Sequence, residues 1–204
     1  MSDIGTIMRT APVIPVLVVD DVSNAVPLAK ALVAGGLRVL EVTLRTDSAL
    51  DVIRAMKTVD GAIVGAGTVI DPDGLDAAIE AGSEFIVSPG LTDRLGTAAI
   101  ERDIPFLPGI ANAGDLMRGL DLGLTHFKFF PAEAAGGIAA LKSLAAPFGQ
   151  CRFCPTGGIT EASAPDWLAL EPVLCVGGSW VAPKGGEPDR IEALARAACA
   201  LART

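Results

Sequence analysis

Short apolar runs alternate with longer stretches rich in alanine and leucine along the whole chain. Each run resembles a buried strand, ends in glycine, proline or a polar residue, and precedes a segment of helical periodicity such as NAVPLAKALVAGG or DSALDVIRAMK. The predicted strands are VIPVLVV (13–19), RVLEVTL (38–44), AIVGAG (62–67), EFIVSP (84–89), IPFLPG (104–109), HFKFFP (126–131), RFCPTGG (152–158) and VLCVGGS (173–179). This alternation predicts an α/β fold built from repeated βα units.

Eight βα units within 204 residues predict a single (β/α)8 barrel, the TIM barrel, near the small end of its size range. A doubly wound open sheet is the alternative, but the count of eight and the polar residues inside several strands favour the barrel. The opening SDIGTIMRTA predicts a short helix that closes the bottom of the barrel. No linker or low-complexity tract interrupts the series, so residues 1–204 are expected to form one domain.

Polar residues in the second and sixth runs share one face of each strand. Period two places Glu41 and Arg45 on the same face of the second run, with the leucines and Val42 opposite. The same rule groups His126, Lys128 and Phe130 in the sixth run, with two phenylalanines opposite. Because function gathers at the carboxyl ends of barrel strands, the lysine, the glutamate and the arginine are expected to converge on one mouth.

Lys128 is the only one of the five lysines that falls in a predicted strand. A buried lysine between phenylalanines is either half of a salt bridge, here to Glu41, or a nucleophile kept neutral by an apolar wall and a neighbouring cation. As a nucleophile it would form a Schiff base with a ketone, and Glu41 would shuttle protons. Arg45 suits a substrate carboxylate, and a surface arginine at a strand end is the alternative interpretation.

Glycine pairs follow the last two predicted strands, as TGGI (156–159) and VGGSW (176–180). A single Gly-Gly usually marks a turn. Two pairs after the seventh and eighth strands of a barrel indicate phosphate binding through backbone N–H groups, to which Ser179 adds a hydroxyl.

Net charge and cysteine content argue against several classes of partner and site. The net charge of −8 argues against a nucleic acid or an anionic membrane surface as partner, and no cationic leader precedes the first apolar run. A soluble, cytoplasmic protein is therefore expected. The four cysteines are interpreted as buried thiols of a reducing compartment, since Cys151 and Cys154 face opposite sides of a strand and lack further ligands for a metal or redox site. The lone His126 is expected to have no direct role, and Trp167 and Trp180 to pack rather than bind.

Six stretches together resemble the 2-keto-3-deoxy-6-phosphogluconate aldolase family, which also acts as 4-hydroxy-2-oxoglutarate aldolase. They are VLEVTLRT, VGAGTV, SPGL, FKFFPAE, RFCPTGGI and GGSW, and the likeness runs from about Val13 to Trp180. The resemblance implies a class I aldolase on a (β/α)8 barrel, metal-independent and without a cofactor, usually a homotrimer. Its reaction splits 2-dehydro-3-deoxy-6-phosphogluconate into pyruvate and glyceraldehyde 3-phosphate.

The resemblance also implies a role for each matching residue. Lys128 would be the Schiff-base lysine and Glu41 the acid/base residue. The residues implied in substrate binding are Arg45 and Thr68 for the pyruvyl carboxylate, Pro89 and Phe130 for the pocket wall, and Thr156, Gly157, Gly158, Gly178 and Ser179 for the phosphate end.

The chain departs from the family pattern at two places. Asn112 stands where the family has a threonine, and we expect it to cap a helix equally well. The loop between Trp180 and Asp189 is short, so no lid or interface role is assigned to it. Three alternative functions stay open: a sister aldolase for another 2-keto-3-deoxy sugar acid such as the phosphogalactonate epimer, a phosphate-binding barrel isomerase without covalent catalysis, and a non-catalytic sugar-phosphate sensor.

Overall fold

A computed structural model describes residues 3–201 and confirms the alternation of strands and helices. The strands are β1 (Val13–Leu17), β2 (Val39–Thr43), β3 (Ile63–Gly67), β4 (Ile86–Val87), β5 (Phe106–Leu107), β6 (Gly109–Ile110), β7 (His126–Phe129), β8 (Arg152–Pro155) and β9 (Val176–Gly178). The α-helices are α1 (Ile4–Arg9), α2 (Ala25–Ala34), α3 (Ala49–Met56), α4 (Pro72–Glu80), α5 (Asp93–Glu101), α6 (Ala113–Asp121), α7 (Gly137–Ala145), α8 (Ala164–Leu168) and α9 (Pro188–Cys199), and a 3-10 turn spans Val22–Asn24.

Every strand pairing is parallel. A curled six-stranded sheet has the order β5-β4-β3-β2-β1-β9, and a three-stranded sheet has the order β6-β7-β8. Parallel strands joined through helices direct all their carboxyl ends to one edge, which is where the residues after each strand gather.

The fifth predicted strand (104–109) is interrupted, which the sequence analysis did not anticipate. Pro108 lies between β5 and β6 and has no backbone N–H to donate to a ladder. β5 pairs with β4 while β6 pairs with β7, and the carbonyl of Pro108 accepts the N–H of Lys128 at 2.8 Å. One predicted strand thus contributes to both sheets. The predicted runs 84–89 and 173–179 are also shorter in the structure, as β4 and β9.

Two apolar clusters lie on opposite faces of the strands. The larger one joins outward side chains such as Leu40, Val42 and Phe127 to the surrounding helices. The smaller one includes Ile7 and Met8 of α1 and gathers inward side chains of the strands and of residues just before them: Ile14, Val39, Phe85, Val87, Leu107, Cys154 and Cys175. The expected N-terminal helix is confirmed, since α1 begins at its cap Asp3 and packs against the inward side chains.

Candidate active site

Lys128 and Glu41 meet at the inward faces of their strands. The Lys128 Nζ atom donates a hydrogen bond of 2.9 Å to Oε1 of Glu41, and the two residues are only 6% and 3% exposed. They come from β7 and β2, which do not pair with each other, so the contact bridges the interior. A buried ion pair contributes little to stability, because the cost of desolvation can exceed the Coulombic gain. A chemical role therefore explains this buried pair better than a stabilising role does.

The predicted alternation of side chains in β7 is confirmed. Phe127 and Phe129 are buried in the outer cluster, where Phe129 packs 6.3 Å from the ring of Trp167. Lys128 points inward, and its Nζ lies 5.5 Å from the centroid of the Phe130 ring. The amine thus has a carboxylate on one side and an aromatic face on another.

Gly67 at the end of β3 makes room for the glutamate, which the sequence analysis missed. A Cβ built on Gly67 would overlap Oε1 of Glu41 and would lie 2.7 Å from its Cγ. Gly67 pairs in register with Thr43, two residues beyond Glu41 on β2. Gly65, on the same face, leaves space for the Phe85 ring in the same way. The signal in the sequence was the spacing of two glycines on one face of a strand, which marks a close approach of another group.

Arg45 lies in the turn directly after β2 and is exposed. The loop that carries it is tied to the end of β1, because the hydroxyls of Thr46 and Ser48 each donate to the carbonyl of Val19 at 3.0 Å. The structure places Arg45 at the carboxyl edge of the strands, and shows no ion pair between it and Glu41 within residues 3–201.

Thr68 and Pro89 follow β3 and β4 at the same edge, and both are half-buried. Thr68 has a φ of 61°, in the left-handed region that a β-branched residue rarely adopts. Such backbone strain is concentrated at binding and catalytic sites, which makes Thr68 a residue of interest on independent grounds. The Pro89 carbonyl packs directly against Gly109 of β6.

The first glycine pair lies in the loop after β8, next to the ring of Phe130. Thr156 is 6% exposed, and its side chain packs over the backbone of Gly177. Gly157 and Gly158 have φ values of 104° and 81°, so both require glycine. A Cβ on Gly157 would lie 3.4 Å from the Phe130 ring, the same ring that lies near Nζ of Lys128.

The two glycines of the second pair, Gly177 and Gly178, have different surroundings. Gly177 faces inward against Thr156, whereas Gly178 is buried beneath the ring of Trp180. Ser179 follows β9 and is exposed. All the predicted site residues therefore lie on β2 or β7, or at the carboxyl edge of the strands.

Comparison with known proteins places this site in a family. A sequence model of the KDPG and KHG aldolase family matches residues 4–194. A 2-dehydro-3-deoxy-phosphogluconate aldolase of Zymomonas mobilis is 60% identical over all of this chain and 98% of its own length, and a KHG/KDPG aldolase of Escherichia coli is 58% identical over 95% and 93%. This chain belongs to the KDPG and KHG aldolase family.

Solved structures of the family agree closely with this fold. The Zymomonas mobilis aldolase with 3-phosphoglycerate superposes with a TM-score of 0.98 at 60% identity, covering 99% of this chain and 97% of that one. The Legionella pneumophila KDPG aldolase superposes with a TM-score of 0.94 at 44% identity, covering 98% and 99%. In that structure pyruvate was captured at low pH as a covalent carbinolamine intermediate.

The thiols of this family member are arranged largely as expected. Cys151 belongs to the outer cluster and Cys154 to the inner one, which confirms that they face opposite sides of β8. Cys151, Cys154 and Cys175 are buried, but the expectation is wrong for Cys199, which is partly exposed at the end of α9. Within residues 3–201 no cluster of three histidine, cysteine or acidic side chains could hold a metal ion.

His126 lies at the opposite end of β7 from Phe130, beside α1. Its Nδ1 is 3.1 Å from the hydroxyl of Thr125, and its Nε2 is buried against Gly5 with no hydrogen-bond partner among the described residues. Burial lowers the pKa of His126, and the nearby Arg9 cation lowers it further. That His126 has no direct role stays a prediction.

Asn112 and Trp167 have the structural roles that the sequence predicts. Asn112 is the N-cap of α6, and its Oδ1 accepts the N–H of Asp115 at 3.0 Å, which confirms the expected cap. Trp167 is fully buried, as expected of a packing residue. No helix in the described part of the chain combines the length and the apolar character needed to cross a membrane.

Proposed function

We propose that this chain is a class I 2-dehydro-3-deoxy-phosphogluconate aldolase, a carbon–carbon lyase that yields pyruvate and D-glyceraldehyde 3-phosphate. The observation that carries the proposal is the buried contact of 2.9 Å between Lys128 and Glu41. It is supported by relatives of that name at 60% and 55% identity over nearly the whole chain. The pyruvate carbinolamine of the Legionella pneumophila structure supports covalent catalysis by an amine.

Lys128 attacks the C2 ketone of the substrate. The attacking amine must be neutral, and Glu41 accepts its proton directly along the existing hydrogen bond. Addition gives a carbinolamine, to which Glu41 returns the proton so that water leaves and an iminium forms. The Phe130 ring, 5.5 Å from Nζ, stabilises this cation.

The iminium then drives cleavage of the C3–C4 bond. Glu41 accepts the proton of the C4 hydroxyl, the bond electrons move onto the nitrogen, and glyceraldehyde 3-phosphate departs. Glu41 protonates C3 of the remaining enamine, and water hydrolyses the resulting imine to release pyruvate and free Lys128. One carboxylate thus serves as base and acid in turn.

Other residues at the carboxyl edge bind the two ends of the substrate. Arg45 and Thr68 bind the pyruvyl carboxylate, the first through a charged hydrogen-bonded contact, while Pro89 and Phe130 form the pocket wall. The loops after β8 and β9 bind the phosphate through backbone N–H groups and one hydroxyl. The residues of these loops are Thr156, Gly157, Gly158, Gly178 and Ser179.

We further infer that the two sheets form one closed (β/α)8 barrel and one domain. This is supported by the single residue Pro108 between β5 and β6, and by isolated parallel bridges from Phe153 to Val173 and from Thr156 to Gly177. We also propose that the protein is cytoplasmic, and that it is a homotrimer as the family resemblance implies. Light scattering of the purified protein would test the trimer, and a mass of three chains is the expected result.

Trapping with borohydride tests the covalent step. The protein is incubated with pyruvate and sodium borohydride, digested, and its peptides are weighed. The expected adduct is a reduced pyruvyl group on Lys128, absent from Lys128→Met and present in a variant of the exposed Lys142. A wild-type protein that stays unlabelled, under conditions that label a known class I aldolase, rejects the proposal.

A second activity is favoured by the relatives' names. The matched family and the Escherichia coli relative are named for both KDPG and KHG. We therefore propose cleavage of 4-hydroxy-2-oxoglutarate to pyruvate and glyoxylate by the same site. Comparing turnover of this substrate, the phosphogluconate substrate and its phosphogalactonate epimer would separate the proposed enzyme from a sister aldolase.

A further inference from the structure

Glu133 connects three segments around the first glycine pair. Its backbone N–H donates to the carbonyl of Gly157 at 3.1 Å, and its Oε1 accepts the indole N–H of Trp167 at 3.0 Å. Its Cβ and Cγ pack over Gly158, where an added Cβ would lie 2.8 Å and 2.7 Å from them. Glu133, in the loop after β7, therefore contacts both glycines after β8 and the buried tryptophan of α8.

The glycine pair needs such a contact to hold its shape. Gly157 and Gly158 both have positive φ values, and glycine is the residue with the greatest conformational freedom in the unfolded chain. A loop that binds phosphate through backbone N–H groups binds well only if those groups already point at the ligand. The methylenes of Glu133 lie where a side chain of Gly158 would otherwise be, and so limit the conformations open to this loop.

We propose that Glu133 is a positioning residue that holds Gly157 and Gly158 in the conformation that binds the phosphate, and so sets the preference for phosphorylated keto acids. The inference rests on the proposed function. Glu133 is not expected to act on the reacting atoms, since Lys128 and Glu41 lie on the interior face of the strands and Glu133 lies beyond the end of β7.

A purely stabilising role for Glu133 is a weaker explanation. The residue is exposed, and no basic side chain forms an ion pair with it in the described residues. Trp167 is fully buried, and its ring packs against Phe129. The carboxylate of Glu133 is held by Trp167 while its methylenes cover Gly158. This combination restricts the conformation of the loop and does not add to the core.

The test uses four variants and readouts that differ in their need for phosphate. Glu133→Ala removes the hydrogen bond and the Cγ methylene but keeps Cβ, and Glu133→Gln keeps all three. Trp167→Phe removes the donor together with part of a buried ring. Glu161→Ala is the matched control, because Glu161 is an exposed glutamate three residues after the glycine pair. The readouts are KM and kcat for the phosphorylated substrate, the Kd of glycerol 3-phosphate by calorimetry, and exchange of the pyruvate methyl protons with D2O.

A selective effect on the phosphate is expected. Glu133→Ala should raise KM and the Kd of glycerol 3-phosphate about tenfold, the effect of losing one hydrogen bond and its packing. Its kcat and its pyruvate exchange should stay within about twofold of wild type. Glu133→Gln and Glu161→Ala should match wild type, and Trp167→Phe should show a smaller rise in Kd, with thermal melts confirming that each variant is folded.

Three results would overturn the inference. They are an unchanged Kd of glycerol 3-phosphate in Glu133→Ala, no binding of glycerol 3-phosphate by wild type, and an equal loss of phosphate binding and pyruvate exchange in Glu133→Ala. Failure of the proposed function looks different, because wild type would then show neither cleavage nor exchange. In that case the Kd values alone decide, and a tenfold weakening in Glu133→Ala that Gln restores would still support the positioning role.

Discussion

Gly67→Ala is the substitution that most directly probes how the site is assembled. The new methyl group would overlap Oε1 of Glu41 and crowd its Cγ and Cδ, at 2.7 Å and 2.9 Å. Contacts under 3 Å to a carbon atom cannot persist, and the backbone of β3 is held in register with Thr43 and Glu84. The flexible side chain of Glu41 must therefore move away from the hydrogen bond of 2.9 Å to Lys128.

The size of the effect follows from the role of that hydrogen bond. A positioned acid or base contributes roughly 10²- to 10⁴-fold to rate, so a displaced carboxylate should lower kcat by about 100-fold. Overpacking of this kind costs about 1–3 kcal/mol of stability, which leaves the protein folded. The assay is pyruvate release from the phosphorylated substrate, coupled to lactate dehydrogenase, with a thermal melt of each variant.

Two comparisons make the result decisive. Gly149→Ala is the control, because Gly149 is exposed and a Cβ there has no atom within 4 Å; it should match wild type. In a Glu41→Gln background, Gly67→Ala should cause little further loss, since the two substitutions disable one proton path. A kcat of Gly67→Ala within twofold of wild type, or a full additional loss in the Glu41→Gln background, refutes the reasoning.

Three further outcomes are expected. Lys128→Met should lower the free energy of unfolding by about 3–5 kcal/mol, because it leaves the Glu41 carboxylate buried without a partner, and Lys128→Met combined with Glu41→Leu should recover most of that loss in urea titrations; equal losses in the single and double variants contradict this. Burial lowers the pKa of His126 in the folded chain. As the pH drops below the ordinary pKa of about 6.5, the unfolded chain therefore binds a proton that the folded chain does not. The free energy of unfolding should then fall as the pH decreases towards the folded pKa. His126→Gln should melt with a smaller pH dependence between pH 7 and 5, and identical slopes for the two proteins would show the opposite. EDTA should leave the cleavage rate unchanged, whereas inhibition reversed by a divalent cation would indicate a metal-dependent aldolase.

Local periodicity accounts for much of what could be predicted. The alternation along β2 and β7 placed Glu41 and Lys128 on inward faces, because successive side chains of a strand must point to opposite sides. The Asn112 cap was likewise readable, since a side-chain oxygen beside its own helix needs no distant partner. The break at Pro108 was predictable in principle, because proline has no N–H to donate to a strand ladder. The apolar character of residues 104–109 alone predicts one continuous strand.

Other features depend on residues that are far apart in the chain. Glu41 and Lys128 are 87 positions apart, and their distance of 2.9 Å depends on the curvature of the sheets and on the space that Gly67 leaves. The contacts of Glu133 with Gly158 and Trp167 arise the same way, from loops after neighbouring strands. The sequence by itself determined which faces the reactive groups occupy, because strand periodicity is a property of consecutive residues. Only the tertiary structure decided which groups touch, because the volume that a missing Cβ leaves is filled by whatever residue the fold brings there.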